Sequence, residues 1–368
     1  MMQLIFFAFS FLIVFSGHLL LWFVLVKLLG IASFYYQIIL GALLFFLLSS
    51  AVIASIFIHQ WDNLFTRWYY ILSSFWIGSL VNFGLMLVVV LLLKYIGPSL
   101  GVITPLTYLR LIFFGGTIIL SLWGVYNAWQ PRLTEYTVYI KDLPTAWQDK
   151  AVVHISDIHL GPVYRQHFFT RLIARIQALE PEAVFITGDL FDGMEADFNW
   201  LAGPFAKLTA PRGVFYSFGN HDLYLGFDRS RDLLQKSIKV LDNKLVVVDG
   251  LQIIGINYSF NKDFDLEKEI LAQVGYSQSQ PSILLFHEPK NIELAQSAGI
   301  DLQLSGHTHR GQLFPINLLA KAMYQGFGYG LFQKGDLSLV VTSGVGTWGP
   351  PLRTSGRGEI VKIILKKK

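Results

Sequence analysis

Four long apolar runs in the first 130 residues restrict the possible fold more than any other feature of this sequence. They cover about Leu4–Leu28, Tyr36–Ile58, Tyr70–Leu93 and Leu106–Trp129. Each run approaches or exceeds the roughly 20 residues that an α-helix needs to cross a bilayer. Tryptophan and tyrosine lie near several of the run ends, where their rings favour the membrane interface. The runs therefore predict an all-α bundle of four transmembrane helices over residues 1–130.

The distribution of charge separates this segment from the rest of the chain. The 368 residues are 53% hydrophobic with a mean hydropathy of +0.48, which is too apolar for an ordinary soluble protein. Of the 29 basic and 25 acidic side chains, residues 1–130 hold four basic and one acidic, which leaves 25 and 24 for residues 131–368. The second segment thus has the composition of a globular domain. It lacks the clustered basic residues that nucleic-acid binding requires.

The helical segment is predicted to be an anchor. Its apolar runs contain no ionisable pair and no charged, interrupted stretch of the kind that transporters need. The isolated His18 and Asn82 are expected to pack against neighbouring helices. The first run lacks a basic start and precedes three further runs, so we interpret it as a retained helix and not as a cleaved signal peptide.

The basic residues of the connectors give a small orientation signal. Lys27, Lys94 and Arg110 flank the first and third connectors, whereas Arg67 and Arg132 lie on the opposite side. Basic residues favour the cytoplasmic side. The excess of three over two predicts a multi-pass protein of the cell membrane whose second segment is extracytoplasmic.

Beyond Pro131 the pattern changes to short β-rich runs between helical stretches. This alternation predicts an α/β domain over residues 131–368, a β-sandwich of mixed sheets flanked by helices. The predicted strands are residues 151–156, 183–187, 213–218, 283–286, 301–305, 337–343 and 359–365, with a hairpin over 244–257 around Asp249-Gly250. The predicted helices are Arg165–Leu179, Ser230–Leu241 and Asn291–Ala298.

Polar residues follow five of these strands at the point where each strand ends. "AVVHIS" leads into "DIHLG", "AVFIT" into "GDLFDG", "GVFYSF" into "GNHD", "ILLF" into "HEP" and "DLQLS" into "GHTHRG". Loops beyond the carboxyl ends of strands converge in α/β sheets, so these residues are expected at one rim. The converging residues are Asp157, His159, Asp189, Asp192, Asn220, His221, Asp222, His287, His307 and His309.

The residue types at this rim indicate a metal centre. The chain has no cysteine, so the candidate donors are imidazole nitrogens and oxygens. Such a mixture suits zinc, manganese or iron better than calcium. Two ligand sets can be formed with Asp189 as a bridge, at the roughly 3.5–4 Å separation of two-metal sites. One set is Asp157, His159 and His309, and the other is Asn220, His287 and His307.

Three further polar residues are predicted to have other roles. His154 lies inside a strand and is expected to be a hydrogen-bonded core residue, and His167 opens a helix and is expected to be exposed. Asp222 is expected to cap the following segment or to support the site.

The five polar blocks together resemble the calcineurin-like metallophosphoesterase superfamily. The blocks "DIHLG", "GDLFD", "GNHD", "FHEP" and "GHTH" stand in the family's order, and the resemblance extends to the tail "SGVGTWGPPLR". The chain is similar in particular to membrane-associated bacterial phosphodiesterases that include UDP-diacylglucosamine hydrolase-like proteins. The resemblance implies hydrolysis of a phosphoric ester with two divalent ions and a metal-bound hydroxide as nucleophile. It also implies that His221 touches the phosphoryl oxygen or leaving group and that Asp192 orients His221.

The chain departs from the family pattern at one position. Many members carry arginine directly after the second aspartate of the "GDLFD" block, whereas this chain has Gly193. Arg310, beside His309, and Arg353 are the candidate replacements for that substrate contact.

The segment Leu313–Phe332 is unusually apolar and aromatic. Two interpretations stay open, a packed loop beside the site or a surface that meets lipid.

The leading functional hypothesis is a membrane-anchored phosphoesterase that cleaves a phosphodiester, pyrophosphate or phosphomonoester. A lipid or cell-envelope substrate is the most economical choice for an anchored enzyme. The alternatives are a phosphoprotein phosphatase and a non-catalytic membrane protein that senses metal or phosphate.

Overall fold

The computed structural model describes residues 2–194, 196–234, 238–259 and 264–368. These residues form two compact units. One comprises the chain up to Tyr126 together with Gly349–Thr354, and the other comprises Asn127–Trp348 with Ser355–Lys368.

Four helices make up most of the first unit. They are α1 (Met2–Leu29), α2 (Phe34–Gln60), α3 (Leu64–Leu91) and α4 (Leu106–Trp129). A π-helical turn at Leu92–Ile96 and a 3₁₀ turn at Gly97–Leu100 follow α3. All four helices are long and apolar enough to cross a membrane, which confirms the four predicted helices.

The two polar side chains singled out in these helices are engaged with neighbouring helices. His18 Nδ1 lies 2.8 Å from the Val14 carbonyl oxygen, and its Nε2 accepts a hydrogen bond from Trp76 Nε1 at 2.9 Å. Asn82 Nδ2 donates to Ser121 Oγ at 3.0 Å. Both residues therefore have the packing role that was predicted for them.

A short segment from late in the chain belongs to the helical unit. Within Gly349–Thr354, the Arg353 amide donates to the Gly124 carbonyl of α4 at 2.8 Å, and the Arg353 side chain is fully buried. Gly78 of α3 comes so close to this segment that a Cβ there would lie 2.8 Å from Pro350 Cβ. The segment thus packs directly against helix backbone.

The second unit contains two six-stranded sheets and the remaining helices. Its strands are β1 (Arg132–Ile140), β2 (Ala151–Ile155), β3 (Ala183–Thr187), β4 (Val214–Ser217), β5 (Ile238–Val240), β6 (Lys244–Val248), β7 (Leu251–Ile256), β8 (Ser282–Phe286), β9 (Leu302–Ser305), β10 (Gly330–Lys334), β11 (Leu337–Val341) and β12 (Glu359–Lys367). Its helices are α5 (Gln166–Gln177), α6 (Ala202–Phe205), α7 (Asn220–Leu225), α8 (Phe227–Leu233), α9 (Phe264–Gln273), α10 (Ile292–Ser297) and α11 (Ile316–Met323). Three 3₁₀ turns lie at Thr145–Trp147, Asn199–Leu201 and His309–Gly311.

Both sheets are mixed. The first has the order β1-β12-β2-β3-β4-β5, in which β2 to β5 are parallel and β12 runs antiparallel to β2. The second has the order β10-β11-β9-β8-β7-β6, in which β7, β8, β9 and β11 are parallel and the two edge strands are antiparallel. The predicted α/β domain with mixed sheets is confirmed.

One hydrophobic core lies between the two sheets. Phe185 and Phe215 contribute from the first sheet, and Ile253 and Leu285 contribute from the second, all of them fully buried. The core fixes the two sheets face to face, so loops at the carboxyl ends of strands from both sheets can meet.

Most of the predicted strands and helices are confirmed, including the hairpin. Its two turn residues, Asp249 (φ 47°) and Gly250 (φ 82°), both have positive φ, as a two-residue type I′ turn requires. The predicted helix Ser230–Leu241 is wrong in its second half. There α8 ends at Leu233, residues 235–237 lie outside the described residues, and β5 pairs in parallel with β4. Pairing with a neighbouring strand outweighs local helix preference at such a site.

We predict that Ile253→Ala lowers the free energy of unfolding by about 2–5 kcal/mol, because it leaves a cavity between the sheets. Thermal unfolding of the full-length protein in detergent measures the effect. Val247→Ala is the matched control, since Val247 lies on the neighbouring strand and is 56% exposed. An equal loss of stability in the two variants would contradict the placement of the core.

Candidate metal centre

The five predicted loops meet at one place in the second unit. Backbone hydrogen bonds join them: the amides of Asp157 and His159 donate to the carbonyls of Gly188 and Asp189, each at 3.1 Å. The Gly306 amide donates to the His287 carbonyl at 2.8 Å. The loops after β2 and β3 are thus bonded to each other, as are the loops after β8 and β9. The His307 amide joins the two pairs into one cluster by donating to the Asp157 carboxylate at 3.0 Å.

The first predicted ligand set is assembled in this cluster. His159 Nε2 and His309 Nε2 face each other at 3.1 Å, and His309 Nε2 lies 3.4 Å from Asp157 Oδ1. One donor atom from each of the three residues lies within 4.8 Å of the others, and all three residues are buried. These distances allow a single ion to contact all three side chains.

The second predicted set is assembled beside it. His287 Nε2 lies 3.2 Å from Asn220 Oδ1 and 3.2 Å from His307 Nδ1. His287 Nδ1 donates to the Thr187 carbonyl at 2.7 Å. Nε2 is therefore the nitrogen that faces the other ligands and would bind a metal ion.

Asp189 lies between the two sets. Its Oδ2 is 3.2 Å from His287 Nε2 of one set and 3.9 Å from His159 Nε2 of the other. Its Oδ1 accepts the backbone N–H of His221 at 2.8 Å. One buried carboxylate therefore contacts both groups of ligands and the residue next to them.

The backbone of these loops is held in unusual conformations. Five of the seven predicted ligands have positive φ, between 48° and 67°: Asp157, His159, Asp189, His307 and His309. Such conformations cost of order 1–3 kcal/mol each outside glycine and are concentrated at functional sites. Glycine at position 306 allows the two loops to approach closely, because a Cβ there would lie 2.2 Å from Asp157 Oδ2.

Asp222 supports the loop that carries Asp189. Its Oδ2 accepts the amides of Gly219 at 2.7 Å and Asp189 at 2.8 Å, and its Oδ1 accepts the Phe191 amide at 3.3 Å. This includes the cap of α7 that the sequence predicted. It also ties α7 to the loop that carries Asp189.

Asp192 serves two histidines through different atoms. Its carboxylate Oδ1 lies 3.2 Å from His159 Nδ1, and its backbone carbonyl lies 2.8 Å from His221 Nδ1. A bond from Nδ1–H to that carbonyl leaves His221 Nε2 as the nitrogen available for another partner. The resemblance implied that Asp192 orients His221, and here the main chain of Asp192 makes that contact.

The buried charges of the site perturb one another strongly. Burial opposes ionisation of Asp189, but His287 and His221 hold its pKa well below the ordinary value. Burial lowers the pKa of His287, but Asp189 and the other partners raise it to about 10. Burial and the neighbouring His287 lower the pKa of His307 to about 4. The ionised form of Asp189 is therefore stabilised by positive charge on the histidines around it.

This donor set fits two divalent ions. One ion would be held by Asp157, His159 and His309. The other ion would be held by Asn220, His287 and His307, and Asp189 would contact both ions. Pairs of imidazole nitrogens only 3.1–3.2 Å apart suit a shared cation. The charge of the cation would also offset the buried carboxylates of Asp157 and Asp189. His221 offers a further nitrogen near Asp189. One donor atom from each of His159, Asp189 and His221 lies within 4.8 Å of the other two.

Aromatic rings that were not predicted as site residues surround the site. Tyr258 and Tyr324 lie 6.0 Å and 6.2 Å from the His307 ring, between ring centroids. Tyr224 and Trp348 lie 5.1 Å and 6.2 Å from the His221 ring. The block "SGVGTWGPPLR" contains Trp348, and the aromatic segment Leu313–Phe332 contains Tyr324. Tyr224 and Tyr258 lie in no such segment and gave no sequence signal.

The structure also shows the surroundings of Gly193, which stands where many family members have arginine, and of the two arginines predicted to replace that contact. Gly193 has φ 81°, and a Cβ there would lie 3.0 Å from Tyr224 Cβ, so Tyr224 fills the adjacent space. The Arg310 guanidinium stacks over the Tyr329 ring at 4.4 Å. Arg353 is buried within the helical unit. The assignments of Arg310 and Arg353 as phosphate contacts stay predictions.

The remaining histidines of the domain are placed as predicted. His154 Nε2 lies 2.8 Å from Thr187 Oγ1 in the core, where burial lowers the pKa of His154 to about 3. His167 is exposed near the start of α5.

Comparison with known proteins agrees with this geometry. Residues 150–311 match the family model described as calcineurin-like phosphoesterase. A protein of Campylobacter jejuni that is named as an uncharacterized metallophosphoesterase is 33% identical over 357 residues, which cover 94% of this chain and 93% of that protein. The chain belongs to the calcineurin-like phosphoesterase family. It is accordingly a metal-dependent hydrolase of phosphoric esters.

Other relatives of this calcineurin-like phosphoesterase are named for a membrane segment. A transmembrane protein with metallophosphoesterase domain from Danio rerio is 33% identical over 272 residues, which cover 68% of this chain and 61% of that protein. A similar protein of Bos taurus is 32% identical over 274 residues, with 68% and 61% covered. The four apolar helices are thus consistent with a membrane protein.

We predict that Asp189→Asn lowers activity by about two orders of magnitude or more and reduces the amount of bound metal, because one neutral oxygen replaces a bridging charge. Metal analysis of the purified full-length protein, beside turnover of a chromogenic phosphodiester, checks this. Asp228→Asn is the control, since the Asp228 side chain is 95% exposed. Two bound ions and ordinary turnover in Asp189→Asn would exclude the bridging role.

Proposed function

We propose that this protein is a membrane-anchored two-metal phosphoesterase that cleaves a phosphodiester or pyrophosphate of a lipid or cell-envelope molecule. The observation that carries the proposal is the contact of the single Asp189 carboxylate with both groups of ligands. Residues 1–130 are the proposed anchor and residues 131–368 the proposed catalytic domain. The resemblance of the sequence motifs to those of UDP-diacylglucosamine hydrolase-like proteins is the reason for proposing a lipid-linked substrate.

The proposed chemistry assigns separate tasks to the residues of the site. Two ions bound by the seven ligands would supply Lewis-acid stabilisation of the phosphoryl oxygens and an activated water. His221 would hold or deliver a proton at Nε2, next to the oxygen of the leaving group. Asp192 keeps His221 in the required tautomer through its backbone carbonyl. Trp348 and Tyr224 beside His221 offer apolar contact to the leaving group.

A substrate screen distinguishes this proposal from its alternatives. The purified full-length protein would be assayed with manganese against a chromogenic phosphodiester, lipid-linked pyrophosphates, phosphomonoesters and phosphopeptides. Turnover of the diester and of lipid-linked pyrophosphates is the expected result. Activity on phosphopeptides alone would favour a phosphoprotein phosphatase. Metal binding with no turnover of any substrate would favour a sensing role.

We predict that His221→Ala lowers turnover by about 10²–10⁴-fold, which is the usual contribution of a general acid or base. Both metal ions should remain bound, because the seven ligands are unchanged and the backbone N–H of residue 221 is kept. Turnover and metal content are measured on the same preparation, with the exposed His167→Ala as control. Loss of one ion from His221→Ala would instead make His221 a ligand.

We further predict that the catalytic domain lies outside the cytoplasm. Alkaline phosphatase fused after Lys368 should be active, and green fluorescent protein at the same position should be dark. The reason is the excess of basic residues in the first and third connectors. The opposite pattern of the two reporters would place the site in the cytoplasm and would leave the chemistry of the site unaffected.

A further inference from the structure

Helix α11 carries its apolar side chains on the outside of the domain. Leu318 is 57% exposed, Leu319 is 65% exposed and Met323 is 76% exposed, and the helix has no buried residue. Large apolar residues on a helix of a soluble domain normally face the core. Here they project into the surroundings from the segment for which the sequence left two interpretations open.

The apolar half of α11 faces outward, whereas the apolar half of an ordinary amphipathic helix faces the core of its domain. At 100° per residue, Leu318, Leu319, Ala322 and Met323 fall within one half of the helix surface, and all are exposed. The polar Asn317 lies on the other half and is only partly exposed. An apolar half that points away from the domain is typical of a surface that meets another apolar phase.

Helix α11 is joined to the metal centre at both ends. Before it, Gly311 approaches so closely that a Cβ there would lie 2.4 Å from Asn317 Cα. After it, the Tyr324 ring lies 6.2 Å from the His307 ring, and the Gly328 carbonyl accepts a hydrogen bond from Thr308 Oγ1 at 2.7 Å. Anything that holds α11 in place therefore also holds the loop that carries His307 and His309.

Two observations select the occupant of this surface. The chain from Leu313 to Lys334 contains no acidic residue. Its Lys321 is exposed on α11, which matches the anionic surface of a membrane, whereas Lys334 is paired with Glu293. In addition, only Gln130 and Pro131 separate the fourth apolar helix from β1, so the domain is tethered close to the end of that helix. One apolar half with a basic residue on the other half is typical of helices that lie in the interface of a bilayer.

We propose that α11 is an interfacial helix whose exposed apolar half inserts into the surface of the lipid bilayer and holds the metal centre at the level of the lipid headgroups. The proposal rests on the proposed function in that the four apolar helices place the chain in a membrane. It extends that function by naming the element that meets the lipid.

The absence of cysteine makes a direct test possible. Single cysteines are introduced in the full-length chain as Leu319→Cys and Met323→Cys, labelled with an environment-sensitive fluorophore, and placed in nanodiscs of anionic lipid with one protein copy each. Val247→Cys is the matched control, an exposed apolar position on β6. Each labelled variant is also assayed with the chromogenic phosphodiester to verify that the site is intact.

We expect lipids with a nitroxide on the acyl chain to quench the labels at 319 and 323 roughly twofold, because an interfacial helix lies at the boundary of the acyl chains. Aqueous iodide should quench the label at 247 more strongly than either of them. Labels at 319 and 323 that respond only to iodide, or equal lipid quenching at all three positions, would overturn the proposal. Protection from iodide without lipid quenching would also overturn it and would indicate a protein contact.

Failure of this inference can be separated from failure of the proposed function. If the protein enters nanodiscs and hydrolyses the diester while α11 stays in water, only the role of α11 is lost. If the protein does not enter nanodiscs at all, the proposed anchoring is wrong as well.

Discussion

The burial of the Asp189 carboxylate is the constraint on which the rest of the domain depends. A charged carboxylate removed from water is costly unless compensating charge and hydrogen bonds surround it. Two histidines, the amide of His221 and the loop held by Asp222 provide that compensation. Those partners come from both sheets, so the charge can be compensated only when the two sheets are packed face to face. The metal centre therefore requires the packed sheets, and the packed sheets require that the charge of the metal centre is compensated.

The same constraint explains why the loops adopt unfavourable conformations. Histidine and aspartate at positive φ are strained, and five such residues at one centre are a large local cost. The core between the sheets, with Phe185 and Leu285 fully buried, offsets that cost. Metal ions would contribute further, since they bind the folded loops and not the unfolded chain. The strained loops thus keep the donor atoms close together before any ligand arrives.

Sequence reasoning reached the strands and the polar blocks because both are local patterns. "AVVHIS" before "DIHLG" shows a buried strand and the loop that follows it without any knowledge of the partner strands. It could not show that the carboxylate of Asp192 contacts His159 while its carbonyl contacts His221, because a backbone contact leaves no trace in residue type. It also missed β5, whose strand conformation depends on pairing with β4. Elements set by local preference could therefore be predicted from the sequence, whereas those set by tertiary contacts could not.

The segment Gly349–Thr354 has a consequence for how the chain can be divided. Because it packs with α3 and α4, the chain passes from one unit to the other three times, after residues 126, 348 and 354. A fragment that begins at residue 131 would keep this segment and lose the helix backbone at Gly78 and Gly124 against which it packs. Leu352 would then be exposed to water only a few residues from Trp348 beside His221. No single cut in the polypeptide therefore yields either unit whole.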